Sequence, residues 1–269
     1  MMQFQVHGNP TFCYTGGKAF NAAQPTAIFI HGALNDHSVW ILQTRYLAHH
    51  GWNVLALDLP GHCKSAGTAP ATVEEAADVI LALMDAAGLA RAALIGHSFG
   101  SLIALEAAAR APARVSHLVL AGTAFPMKVS VALLEGSLTD AHKAIDMVNI
   151  FSHSMLAPPP SALGPGTWLY GGSRALMRRV QASNSTTNLF HAAFKACDSY
   201  AGGLEAMAAV TAPVLFVLGR QDQMTPPKAA QALVAKAASA QVVVVDAGHQ
   251  MMTEAPDAVL AAIRDFLAR

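Results

Sequence analysis

Across 269 residues, 53% are hydrophobic and 13% charged, and seventeen basic side chains balance seventeen acidic ones to a formal charge of zero. A chain of that length and composition can bury a large core, and its neutrality gives nucleic acid or an anionic membrane surface no electrostatic reason to bind. Three scattered cysteines, Cys13, Cys63 and Cys197, exclude a disulfide framework and show no metal-ligand spacing, while no run of about eighteen apolar residues is free of a break.

The N-terminal stretch Met1 to His7 has neither a basic segment nor an apolar one, so no signal peptide is expected and the cytoplasm is the expected location. Residues 4–6 and 11–14 read as an opening hairpin. Residues 24–26 lead into a strand ending at Ile30, and His31-Gly32-Ala33-Leu34 follows, where the glycine lets the backbone turn its amides outward. Residues 39–49 predict a helix capped by Asp36 or Ser38, residues 53–57 a strand running into Asp58-Leu59-Pro60-Gly61-His62, and residues 73–87 a helix stopped by Gly88.

The next strand, residues 91–95, meets Gly96-His97-Ser98-Phe99-Gly100 and a helix over 102–110. A serine at a sharp strand-to-helix turn needs small neighbours on both sides and projects its hydroxyl clear of the sheet. A strand over 115–120 follows. From residue 127 to 205 the rhythm changes to helical stretches punctuated by Pro158-Pro159-Pro160, Gly164-Pro165-Gly166 and Gly171-Gly172, with no strand. Alternation resumes with a strand at 214–218, Gly219-Arg220-Gln221-Asp222, and a helix start at Thr225-Pro226-Pro227. The β-branched run Val242 to Val245 reads as a buried strand ending in Asp246-Ala247-Gly248-His249, and a last helix covers 258–268.

Strand and helix alternation predicts the α/β class, with a mostly parallel sheet and a site beyond the carboxyl ends of the strands. The expected organisation is a core of residues 1–124 and 206–269 interrupted by a helical cap, 125–205. Ser98 is the candidate nucleophile. A serine hydroxyl is a weak nucleophile at neutral pH and needs a base, for which His249 lies on a late loop able to reach it. Asp222 is the expected acid. Asp246 competes, three residues from His249, but would have to reach back on itself. The amides of Ala33 and Phe99 are the candidate oxyanion donors.

His31-Gly32, Asp58 to His62, the elbow at Ser98, and then Asp222 and His249 in that order resemble the α/β-hydrolase family, in particular its single-domain esterases, over nearly the whole chain. That resemblance implies an eight-stranded sheet flanked by helices and a serine hydrolase cleaving a small to medium, mainly apolar carboxylic ester through an acyl-enzyme on Ser98. It implies no metal and no organic cofactor. A carbon–carbon bond hydrolase, a lactonase, a lyase or a non-catalytic small-molecule receptor on the same scaffold remain open. Cys63 departs from the pattern, standing where the family very often has glycine.

The partner implied is a small-molecule substrate, with no nucleic acid and no membrane, as a monomer or homodimer. Candidate pocket residues are Leu34, Trp40, Phe125, Met155, Trp168, Phe190 and Met251. The cap also offers Met147, Phe151, Leu169, Tyr170, Met177 and Phe194, each of which fits either substrate contact or packing of cap on core. Arg174, Arg178 and Arg179 fit either a substrate carboxylate or a solvated helix face.

Overall fold

A computed structural model describes residues 1–154 and 167–269. Two antiparallel strands open the chain, β1 (Met2–Val6) and β2 (Asn9–Tyr14). Then β3 (Thr26–Ile30), α1 (Ile41–His49), β4 (Asn53–Leu57), α2 (Val73–Ala86), β5 (Ala92–His97), α3 (Phe99–Arg110) and β6 (Val115–Ala121) alternate as expected. Five helices follow: α4 (Val131–Thr139), α5 (Ala141–Ser152), α6 (Leu169–Ala182), α7 (Leu189–Ser199) and α8 (Gly203–Ala209). The chain closes with β7 (Val214–Gly219), α9 (Gln231–Lys236), β8 (Ala240–Val245), α10 (Met251–Glu254) and α11 (Pro256–Leu267).

The eight strands form one sheet in the order β1-β2-β4-β3-β5-β6-β7-β8, parallel from β4 onward. Every residue of β3, β4, β5 and β7 is buried, because helices cover both faces of the central strands. Alternation splits these side chains between two cores: Ile28 and Ile30 pack toward α2 and α3, Ala27 and Phe29 toward α1 and α11. Each fully buried isoleucine or phenylalanine of this set contributes about 1.5–3 kcal/mol relative to remaining in water.

One strand departs from expectation. β8 is the edge of the sheet, and Val242 and Val244 are 44% and 43% exposed while Val245 is buried. Four consecutive valines suggest a strand covered on both sides, but only one face of β8 meets a neighbouring layer. No strand lies between β6 and β7 among the described residues. The expected boundary between 205 and 206 falls inside α8, which packs back onto α3. The two proline and glycine clusters at 158–160 and 164–166, and Met155, lie outside the described residues. Among the described residues, no helix is long and apolar enough to cross a membrane.

Candidate active site

Ser98 sits between β5 and α3 with φ 53° and ψ −120°, a conformation that side-chain-bearing residues rarely hold. Its surroundings enforce it. A Cβ on Gly96 would overlap the carbonyl of Gly100, and one on Gly100 the carbonyl of Ile30, so the sharp turn closes only with glycine at both places. The Ser98 amide donates to the Ala121 carbonyl at 2.9 Å, and the Ser101 amide and hydroxyl both donate to the Ser98 carbonyl. Phe99 is the first residue of α3, where a helix leaves its amides without an intrahelical partner.

The turn after β3 packs directly against this elbow. A Cβ on Gly32 would come within 2.9 Å of His97 Nδ1 and 3.1 Å of Ser98 Cβ, and Leu34 takes φ 57° as the Asn35 amide donates to the Gly32 carbonyl at 3.3 Å. His31 fixes the turn from behind: its Nδ1 donates to the Gly32 carbonyl at 2.9 Å and its Nε2 accepts from the Leu59 amide at 3.1 Å. Burial holds the His31 pKa below its ordinary 6.5, which keeps the ring neutral in this two-sided role.

From the other side, the loop after β8 brings His249 to Asp222, its Nδ1 2.8 Å from the carboxylate Oδ2. Asp222 is 3% exposed and accepts from the amides of Met224 (2.9 Å) and Thr225 (2.7 Å) and from the Thr225 hydroxyl (2.8 Å). Burial alone would raise its pKa, but the charge and hydrogen bond of His249 and the donors of Thr225 outweigh it, and the net shift is downward. A proton on Nδ1 toward Asp222 leaves the Nε2 lone pair free to accept another. Asp246, the alternative acid, faces solvent with its side chain 79% exposed and meets Gln221 and Arg220 instead.

His97 joins the halves. Its Nε2 donates to the His249 carbonyl at 2.9 Å, across 152 residues of sequence. Complete burial and then the neighbouring His249 push its pKa down to about 3, so the ring stays neutral.

Ser98, His97, His249 and Ala33 line one cavity of about 320 Å³. Its walls come mainly from Met127, Val129, Leu133, Met147, Val148, Phe151, Met177 and Phe194, with Asn35, Ser152, Gln223 and Gln250 as polar members. Helices α5 and α6 are tied to the core on both flanks. On one, Gln250 donates to the Ser152 carbonyl at 3.0 Å and the Ser154 amide to Glu254 at 2.9 Å. On the other, Arg179 donates to buried Asp36 at 2.6 Å, the Cys63 amide to Ser183 at 3.0 Å, and Asn184 to the Gly61 carbonyl at 3.1 Å. Cys63 adopts φ 45°, the left-handed backbone that glycine would occupy without strain.

Asp36, His37 and Asp58 bring ligand-type atoms within 4.8 Å of one another, which the sequence spacing does not reveal. All four carboxylate oxygens are already engaged: those of Asp36 by Ser38, Cys63 and Arg179, those of Asp58 by His37 and the Lys64 amide.

Six expected pocket residues are placed elsewhere. Leu34 is fully buried beneath the wall, its strained turn aiming it into the cluster of Met177 and Phe190. Trp40 packs edge-on to Phe29 at 5.3 Å and donates to the Ile30 carbonyl. Phe125 lies against Gly203 and Tyr200 at the joint with α8. Phe190 stands behind Phe194, 4.8 Å away. Met251 is buried in the core beside α11. Trp168 is 55% exposed and lines a separate cavity of about 410 Å³ along α6. Met147, Phe151, Met177 and Phe194 do line the cavity at Ser98. Arg178 pairs with Asp146 at 2.9 Å, Arg174 lies over the Trp168 ring, and neither they nor Arg179 line it.

The strand order, the elbow and the histidine loop define a class, and the sequence agrees: residues 25–256 match the family model of the alpha/beta hydrolase fold, and the chain belongs to that family as a hydrolase. It is 28% identical over 262 residues to a pimeloyl-[acyl-carrier protein] methyl ester esterase of Neisseria meningitidis, covering 93% of this chain and 96% of that protein. It is 27% identical over 248 residues to the dihydrolipoyllysine-residue acetyltransferase component of an acetoin cleaving system of Pseudomonas putida, covering 90% of this chain. The match spans 63% of that longer relative. In fold it is similar to the enol-lactonase from Burkholderia xenovorans LB400, with a TM-score of 0.81, 23% identity and complete coverage of both chains.

Proposed function

We propose that this hydrolase cleaves a small to medium-sized, mainly apolar carboxylic ester through an acyl-enzyme on Ser98. The observation that carries this reading is the His249–Asp222 pair at 2.8 Å sharing a cavity with a serine held at φ 53°. His249 Nε2 takes the Ser98 proton as the oxygen attacks the ester carbonyl, and the imidazolium formed is balanced by Asp222. The Ala33 and Phe99 amides receive the oxyanion, a contribution worth about 100-fold to 1000-fold in rate per donor. The imidazolium then returns the proton to the departing alcohol. Water, deprotonated by the same histidine, releases the acid and restores Ser98.

In this reading residues 125–205 form a cap whose inward side selects the substrate, a small molecule matched to a cavity of about 320 Å³. Ester hydrolysis is supported by the methyl ester esterase relative. A cytoplasmic location is supported by three free thiols, at Cys13, Cys63 and Cys197, which suit a reducing compartment.

A fluorophosphonate probe tests the core of the proposal, since a histidine-activated serine reacts with it readily. Mass spectrometry should find one labelled residue, Ser98. Labelling that persists in Ser98→Ala would remove the nucleophile and the mechanism with it. A panel of 4-nitrophenyl esters run beside a lactone and a vinylogous diketone then decides the bond type.

A further inference from the structure

Each carboxylate oxygen of Asp222 takes two donors. Oδ1 accepts from the amides of Met224 at 2.9 Å and Thr225 at 2.7 Å, while Oδ2 is shared by the Thr225 hydroxyl and His249 Nδ1, both at 2.8 Å. The same hydroxyl oxygen lies 3.1 Å from His249 Nδ1, so hydroxyl, carboxylate and imidazole close a triangle. Thr225, Asp222 and His249 are 3%, 3% and 5% exposed. A carboxylate oxygen that lost a donor there would find little water to replace it.

The loop that carries Asp222 has other anchors. The Arg220 amide donates to the Val245 carbonyl at 2.9 Å, that of Gln221 to the Ala247 carbonyl at 3.0 Å, and that of Asp222 to the Gly219 carbonyl at 3.2 Å. The His249 ring, by contrast, has few directional partners. A Cβ on Gly122 would come within 3.2 Å of its Cε1 and Nδ1, and the His97 ring lies 4.6 Å away, centre to centre. Such packing confines the ring without choosing where Nε2 points. That choice falls to the bond between Nδ1 and Oδ2, and hence to whatever holds Oδ2. The two amides hold only Oδ1, and a carboxylate held by one oxygen can still turn about the bond to its Cβ.

Resting on the serine esterase reading above, we infer that the Thr225 hydroxyl is a positioning group, which stops the Asp222 carboxylate from turning and so keeps His249 Nε2 aimed at Ser98. Thr225 borders the cavity, but its one hydroxyl proton goes to Asp222, and it acts through that carboxylate. Its second effect is to divide the charge of Oδ2 between two donors. The bond from His249 Nδ1 is therefore weaker than it would be if Oδ2 served the imidazole alone.

The test compares the wild type with Thr225→Val, which keeps the size of the side chain and removes the hydroxyl, and with Thr225→Ser, which keeps the hydroxyl. Turnover of 4-nitrophenyl butanoate is counted per serine that a fluorophosphonate titrates, so unfolded molecules do not enter. In Thr225→Val kcat should fall about tenfold with KM within about twofold, and Thr225→Ser should recover to within about twofold of the wild type. The rate constant of fluorophosphonate labelling, which needs no ester, should fall in the same proportion. In proton NMR with isotope-labelled histidine, the His249 Nδ1 proton should move downfield in Thr225→Val, because Oδ2 then serves one donor. A hydroxyl that merely stabilised the fold would lower the melting temperature and leave kcat per titrated serine and this resonance in place. Should Thr225→Val not fold, Thr225→Ala is read against Thr225→Ser in the same way. An unchanged labelling rate, an unmoved resonance, or a loss as deep in Thr225→Ser as in Thr225→Val overturns the inference. A wild type that the fluorophosphonate does not label would instead bring down the esterase reading, and the inference with it.

Discussion

Ser98 and Phe151 face the same cavity but are held by different means. Around Ser98 the backbone is committed: two glycines admit no Cβ, carbonyls and amides are bonded at 2.5 to 2.9 Å, and two neutral histidines lock the flanking loops. Phe151 is 43% exposed, at the end of α5, and its neighbours on the wall are held chiefly by apolar contact between helices. The floor is therefore held by backbone geometry and hydrogen bonds, which are directional, whereas the walls supply shape that another apolar set could also supply.

The sharpest way to break this contrast is to remove the Ser98 hydroxyl, the proposed nucleophile. Ser98→Ala should lower kcat by about 10⁶-fold with the fold intact, as read by circular dichroism and steady-state kinetics. A smaller but still large effect is expected one step back. Asp222→Asn should lower kcat about 10⁴-fold, through the wrong imidazole tautomer and the lost charge, while the solvent-facing Asp246→Asn stays within about twofold. The reverse pattern would move the acid to Asp246.

On the walls, Phe194→Ala and Met177→Ala should shift the preference for acyl chain length by about tenfold without lowering fluorophosphonate labelling. Trp168→Ala, on the outer cavity, should leave that preference alone. Wall variants that lose labelling altogether would show that walls and floor are one rigid unit.

The gentlest probe is pH. His97 and His62 are pushed down to about 3 and about 4 by burial, from an ordinary value of 6.5. Between those values the unfolded chain binds more protons than the folded one, so stability falls as pH drops below about 6.5. Asp222, lowered in the folded state, adds its own loss only at more acidic pH, as its carboxylate is protonated. The melting temperature should decline from pH 6.5 to 4, and less steeply in His62→Gln. An equal slope in that variant would place the acid sensitivity elsewhere.

The floor was legible in the sequence because its determinants are local. Gly96, Ser98 and Gly100 lie within five residues, and a strand before and a helix after suffice to recognise the sharp turn they form. Asp222 and His249 follow from the strand ends that carry them. The walls were not legible, because which face of α5, α6 or α7 turns inward depends on how helices far apart in sequence pack. Leu34 shows the difficulty: it adjoins Ala33, yet a positive φ turns it beneath the wall. The exposure of β8 is not legible, because four valines look alike whether one face or both are covered. Its place as the last strand in the chain was the available clue to an edge.

The hydrogen bond from His97 to the His249 carbonyl couples the turn that carries Ser98 to the loop that carries His249. The residue next to Ser98 holds the backbone of His249 directly, and one residue further on the amide of Gln250 is held by the Ser152 carbonyl of α5, so the loop is gripped from the core and from the helices at once. A change in α5 that released Gln250 would thus leave the loop with one of its two anchors, the one supplied by His97.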